Sequence, residues 1–407
     1  MPKARSLLKL VLCIFVACTI CACSTNQDVE AGTPQLLASV SFDLYHNRIY
    51  LPVEVNERLV IPMVLDTGAA DSGLSESATR ALDLKTSGTA QLTGNGESNL
   101  RIGLTKNVEF RIGDATLLEK QVAIVPFQNL EASEGRVIAG VLGADLFRKY
   151  VVVIDYQNKK LSLFASKSFV YRSAGIVVPL RLKGPALFQA MVLVADHAPI
   201  LAELAIDSGT YSGLRLYPRF AEQHNFLTNF QLPSIPSFGF GIGGEFRERL
   251  TRIINLQIGS LEIHEPVVSV SEATQGATAL SKYDGTIGGA ILRRFTVTLD
   301  YSRAQMILEG NSAFNVPFEA DTSGLILSAT GSDFKTISVH HVIPNTPAAA
   351  AGIEEGDILL AVNGAPAGSL GLEKIRLMLC HAGAYHLQLR RASNSIGIDV
   401  TTRDLVP

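Results

Sequence analysis

The sequence predicts a mainly β chain: two related lobes in tandem, followed by a small α+β barrel. Three observations carry this expectation. An apolar run that ends in a carboxylate, a hydroxyl residue and glycine occurs twice, as Ile61-Pro62-Met63-Val64-Leu65-Asp66-Thr67-Gly68 and as Leu204-Ala205-Ile206-Asp207-Ser208-Gly209. Each copy has a downstream companion, Val141-Leu142-Gly143 and Thr286-Ile287-Gly288. Asp66 and Asp207 stand 141 positions apart and Gly143 and Gly288 stand 145 apart, so two independent landmarks keep nearly one offset, as an internal duplication requires. Beyond the second copy, the pattern changes to a Pro-initiated alanine helix, an acidic turn, a strand and an Asn-Gly hairpin. With 407 residues, 47% of them hydrophobic, the chain has material for two or three cores. The expected divisions are a signal at 1–22, a tether at 23–37, lobes at 38–166 and 167–312, and a last domain at 316–404.

The first five residues carry two basic side chains, Lys3 and Arg5, and Leu10 to Ala22 is an apolar run too short to span a bilayer comfortably but suited to a signal-peptide core. Ile20-Cys21-Ala22-Cys23-Ser24 resembles a bacterial lipobox, which implies lipidation of Cys23. Ser24 resembles the sorting position of signals sent to the outer membrane. The expected location is therefore the cell envelope, lipid-anchored at the outer membrane and facing the periplasm. Polar residues with Gly32 and Pro34 read as a flexible tether. Losing the signal removes Lys3, Arg5 and Lys9 and takes the formal charge from −3 to −6, which offers nucleic acid no electrostatic attraction. Of the five cysteines only Cys23 and Cys380 would remain, so no internal disulfide is expected, and Cys380 reads as a packed core thiol.

Short alternating runs at 37–42, 50–55 and 60–65 predict strands of a β-rich lobe, and Ser75 is placed to cap a short helix within 74–84. The second lobe repeats the strand pattern at 175–182, 191–195 and 201–206. Between each aspartate and its downstream glycine lies a glycine-rich hairpin tip, Thr93-Gly94-Asn95-Gly96-Glu97 and Gly241-Ile242-Gly243-Gly244-Glu245.

Together these motifs resemble the retropepsin-like, pepsin-type aspartyl proteases over roughly residues 38–310. The resemblance implies an aspartic endopeptidase with catalytic Asp66 and Asp207 and protein or peptide substrates. Thr67 and Ser208 would tie the two turns together, with Gly68 and Gly209 beside the substrate. Gly94, Gly96, Gly243 and Gly244 would form two flaps. Pepsin-like enzymes have one tyrosine-bearing flap, and neither tip here has Tyr, so the chain is closer to a retropepsin dimer fused into one polypeptide, active as a monomer. The halves are not identical: Asp145 aligns with Ala290, and Ala69 with Thr210. Two carboxyl groups at one site cannot both ionise, so one proton is shared, the ionised group activates water and the protonated one polarises the peptide carbonyl. The sequence assigns that proton to neither aspartate. This chemistry calls for no metal and no cofactor.

The C-terminal pattern is similar to bacterial PDZ domains. The resemblance implies that Gly324, Leu325, Ile326 and Leu327 line a peptide site, with Leu372 to Leu379 as the flanking helix, and that the domain recruits or presents substrate. Ile326 stands where the terminal-carboxylate loop usually carries a second glycine. A non-catalytic peptide-binding envelope adaptor is the alternative. Asp207-Ser208-Gly209 lacks a partner histidine motif for serine catalysis, and the eight histidines show no zinc-ligand spacing. His340 and His341 are expected on opposite faces of one strand.

Overall fold

The computed structural model describes residues 34–96 and 98–406. The expected signal, the lipidation residue Cys23 and most of the tether lie outside the described residues, as does Glu97. No helix among the described residues is long and apolar enough to cross a membrane.

The duplication is visible in strand order. In the first lobe seven neighbouring strands run Arg48–Val55, Leu59–Leu65, Gly140–Leu142, Gly73–Ser75, Ala115–Val125, Asn99–Ile112 and Gly88–Thr93. The second lobe repeats that order with Ala186–Leu193, Ile200–Ile206, Gly285–Ile287, Leu214–Leu216, Val267–Ser271, Gly244–Arg252 and Ile235–Gly241. Strand directions also agree. Each aspartate-bearing strand pairs in parallel with the strand before its companion glycine, in the registers Leu65 to Leu142 and Ile206 to Ile287. These strands are buried on both faces, which is why they read as continuous apolar runs: Val64 and Ala205 on one face are buried, as are Met63, Leu65, Leu204 and Ile206 on the other.

A six-stranded sheet joins the lobes, in the order Leu36–Ser41, Lys160–Ala165, Tyr150–Asp155, Phe295–Asp300, Gln305–Gly310 and Ile176–Pro179. Its central pairing, Val152 with Leu299 to Asp155 with Thr296, puts strands of the two halves side by side. Val152, Ile154, Val297 and Leu299 belong to one apolar core that runs through both lobes. Ser75 caps the helix Glu76–Ala81 by accepting from the Ala78 N–H at 3.0 Å, as its sequence position predicts.

The C-terminal domain has a separate core, centred on Leu327, Ile337, Ile375 and Leu387. The helices Pro347–Ala350 and Leu372–Leu379 fall at the expected places. Asn363 and Gly364 both take positive φ in the two-residue turn before Ala365–Pro366. One expectation fails here. In the strand Thr336–Val342, Val339 pairs with Leu327 and His341 with Ile326, so His340 is an extra residue, a β-bulge. The bulge breaks the two-residue alternation, and both imidazoles reach the same carboxylate, that of Glu245.

Candidate active site

Each aspartate follows the last residue of a buried strand and enters a matching turn. The Asp66 N–H donates to Leu142 O and the Asp207 N–H to Ile287 O, both at 2.9 Å. The hydroxyls then lock one turn to the other. Thr67 Oγ1 donates to Ile206 O at 2.7 Å and accepts from the Ser208 N–H at 2.9 Å. Ser208 Oγ donates to Leu65 O at 2.8 Å and accepts from the Thr67 N–H at 3.1 Å. All four groups are buried, so this reciprocal set has no competition from water.

The lock brings the carboxyl groups together. A methyl group added at Gly68 would stand 2.9 Å from Cγ and Oδ1 of Asp207, and one added at Gly209 would run into the Asp66 carboxyl. Each acid therefore lies over the opposite turn's glycine, which sets the two carboxyls side by side. Asp66 Oδ1 accepts from the N–H groups of Gly68 (2.9 Å) and Ala69 (3.1 Å), and Asp207 Oδ1 from the Gly209 N–H (3.1 Å).

Electrostatics distinguish the two. Burial, followed by the neighbouring Asp207 charge, pushes Asp66 up to about 7. Burial also raises Asp207, but the guanidinium groups of Arg215 and Arg48 oppose the rise. Arg215 is buried, 3.2 Å from Glu248, with Nη1 3.4 Å from Thr210 Oγ1. Arg48, from the first lobe, donates from Nε to Gly209 O at 2.6 Å and pairs with buried Glu134. Burial disfavours the Glu134 anion, yet Arg48 and His46 outweigh it and hold this carboxyl well below the usual range. His46 also stacks on Tyr211 with centroids 4.3 Å apart, and Asn47 Nδ2 donates to Tyr211 O. Residues 46–48 of the first lobe thus brace the second lobe's turn at Gly209 and Tyr211.

Asp145 does different work. It accepts from the Ser72 N–H (2.9 Å), Ser72 Oγ (2.8 Å) and the Leu146 N–H (3.0 Å), fixing the loop behind Asp66. Its counterpart Ala290 donates only its N–H, to Ser212 O, and Gly288 and Gly289 donate to Gly213 O and Thr210 O.

The flap tips meet. Gly243 N–H donates to Asn95 O at 2.8 Å, and Gly243 O accepts from the Ser98 N–H at 3.1 Å. Gly96, at φ +115°, packs directly on the Gly243–Gly244 backbone, where a side chain would collide. Ile242 and Leu92 pack with Ala69 against Val64, Val141, Ile138 and Phe127, so the second lobe's tip rests on the apolar wall beside Asp66. A surface cavity of about 1220 Å³, lined by Arg219, Glu222, Phe226 and Val270 among others, contains neither aspartate.

The loop expected to receive a peptide is already engaged within the protein. The Asp321 carboxylate accepts from the N–H groups of Ser323 (3.1 Å) and Gly324 (2.5 Å), and Ser323 Oγ accepts from the Leu325 N–H. Burial pushes Asp321 up to about 6, against these hydrogen bonds. The side chains of Leu325 and Leu327 face the domain core, and that of Ile326 is half-buried. In the groove between strand Leu325–Thr330 and helix Leu372–Leu379, Arg376 Nη2 donates to Leu327 O (2.8 Å) and to Ser133 O of the first lobe (2.6 Å). A methyl on Gly135 would stand 2.9 Å from Leu372 Cβ and 3.4 Å from Ala329 Cβ. The first-lobe helix Gln128–Glu134 and its end therefore fill the groove. Burial, with Asp321 and Glu319 nearby, pushes the Cys380 thiol up to about 12, which suits packing and not reaction.

Comparison with known families agrees with this geometry. Residues 51–146 match the aspartyl protease family model, and residues 323–390 match that of the PDZ domain. No curated protein matches the chain. The chain thus has a retropepsin-like aspartyl protease domain and a C-terminal PDZ domain. The protease match ends before Asp207, so the second lobe's likeness rests on the repeated strand order and turn geometry. Sequence reasoning missed Arg48, Glu134, Arg215, Glu248 and Asp321. Arg215 left one signal, a lone charge inside Leu214-Arg215-Leu216.

Proposed function

We propose that the protein is an aspartic endopeptidase whose Asp66/Asp207 pair activates water for peptide hydrolysis. One observation carries this: the reciprocal Thr67–Ser208 bonds tie the two turns together, so that each aspartate carboxyl lies over the opposite turn's glycine. Asp207, beside two arginines, acts as the base, and Asp66 carries the shared proton. Water attacks the carbonyl carbon as its proton passes to Asp207, while Asp66 hydrogen-bonds the carbonyl oxygen as negative charge develops there. The C–N bond then breaks as the amide nitrogen takes a proton from the pair, giving a free acid and a free amine with no covalent intermediate. Ala69, Leu92 and Ile242 offer an apolar wall for substrate side chains, and the flaps must part to admit an extended chain.

The PDZ domain's part in this proposal is to recruit or present protein substrate, and an incoming peptide must displace residues 133–135 from the groove. Lipid attachment at Cys23, with placement in the cell envelope, belongs to the same proposal; loss of fatty-acid labelling in Cys23→Ala tests it. For the chemistry, Asp66→Asn and Asp207→Asn are assayed separately on an unfolded protein substrate. Each is expected to lose about 100-fold or more of the cleavage rate. Wild-type cleavage by either variant contradicts the paired mechanism, and substrate binding without cleavage by the unsubstituted protein supports a peptide-binding adaptor instead.

A further inference from the structure

The junction between the second flap and the PDZ domain gathers metal-ligand chemistry. Glu245 follows the tip glycine Gly244 on the flap strand, and two PDZ histidines converge on it. His340 Nε2 lies 2.8 Å from Glu245 Oε2, and His341 Nε2 lies 3.0 Å from both carboxylate oxygens. Adjacent residues of a regular strand cannot do this; the bulge at His340 is what permits it.

We propose that Glu245, His340 and His341 bind a divalent metal ion of the zinc class, stapling the PDZ domain to the second flap. Zinc bound at about 2.0–2.1 Å holds tetrahedral ligands about 3.3 Å apart, so these atoms need only small shifts to accept it. The outer partner is also present. His341 Nδ1 lies 2.9 Å from Glu355 Oε1, the carboxylate–histidine arrangement that turns the other ring nitrogen's lone pair toward a metal. Phe238 stacks on His341 with centroids 4.0 Å apart, and Phe240 meets His340 edge-on, so the flap holds both rings in place. Two nitrogens and one carboxylate leave a fourth position for water, and the half-exposed ligands give the ion a route in. The site joins two parts that must separate if the flap lifts, because the same hairpin's Gly243 bonds Asn95 and Ser98 across the cleft.

The test is calorimetric titration of Zn²⁺ into metal-free full-length protein, with hydrogen exchange as a second readout. Wild type is expected to bind one Zn²⁺ per chain and to slow exchange over 235–252 and 336–342 on binding. Glu245→Gln, His340→Ala and His341→Gln are expected to lose that binding, and Glu355→Gln to weaken it by about 10-fold. Thermal unfolding of each metal-free variant separates a lost ligand from a lost fold. The Asp66→Asn/Asp207→Asn protein is expected to bind Zn²⁺ as wild type does, because the site stands independently of the acid pair. No binding by wild type, or undiminished binding by the folded ligand variants, overturns the proposal.

Discussion

The two lobes share one backbone plan and differ in what stands behind each acid. Behind Asp66 is a hydrogen-bonded loop organised by Asp145 and Ser72, with no guanidinium in its hydrogen bonds. Behind Asp207 are two buried guanidinium groups, Arg215 from its own lobe and Arg48 from the other, each paired with a buried glutamate. A symmetrical pair would have no reason to place its proton on one side. Arg215 favours the anion on Asp207 while Arg48 opposes the rise at both acids, and in the proposed mechanism this bias leaves the proton to Asp66. Duplication supplied the geometry, and divergence around it assigned the roles.

The sharpest way to break this comparison is to remove its cationic side. Arg215→Met leaves Glu248 buried without its partner and is expected to cost about 3–5 kcal/mol in denaturant unfolding. A second change, Glu248→Leu, is expected to restore much of the loss while Asp207 stays harder to ionise. Next come the tying hydroxyls. Thr67→Ala and Ser208→Ala each strand a buried N–H, and each is expected to cost about 1–3 kcal/mol. Because the bonds are reciprocal, the two losses are expected to be similar and less than additive when combined. Smaller again is Asp145→Asn, which keeps an acceptor for Ser72 but loses the charge, at about 1 kcal/mol. Ala290→Asp is expected to bring no matching gain, since backbone carbonyls already serve that loop. The smallest expected effect is Thr278→Val, which removes the hydroxyl bond to Asn95 Oδ1 near the joined tips for about 0.5 kcal/mol and eases separation of the tips, read as faster hydrogen exchange at 93–96.

The parts legible in the sequence were those encoded locally and then repeated. The Asp66 and Asp207 turns, the glycine tips and the Leu372–Leu379 helix each show in a few adjacent residues, and the common offset ties the first two together. The electrostatic frame was not legible, because Arg48 acts on a turn 161 positions away and its partner Glu134 sits in an ordinary polar helix. The PDZ domain is legible in its local pattern, yet the engagement of the 323–325 backbone by Asp321 and the packing of residues 133–135 against Leu372 and Arg376 arise only from tertiary structure. His340 and His341 were misassigned because a one-residue bulge overrides strand alternation, and nothing in Val339 to Val342 announces it.

The proposed mechanism needs one shared proton, so activity is expected to fall as pH rises through about 7, where Asp66 ionises beside an ionised Asp207, and to fall in acid, where Asp207 takes up a proton and no base is left. The most direct test is a ¹³C NMR titration of the aspartate carboxyls in the protein and in its Asp207→Asn variant. One carboxyl is expected to titrate near neutrality, with a midpoint that falls when Asp207 is neutralised. Two carboxyls titrating independently near the ordinary value of about 3.9 would contradict the paired site.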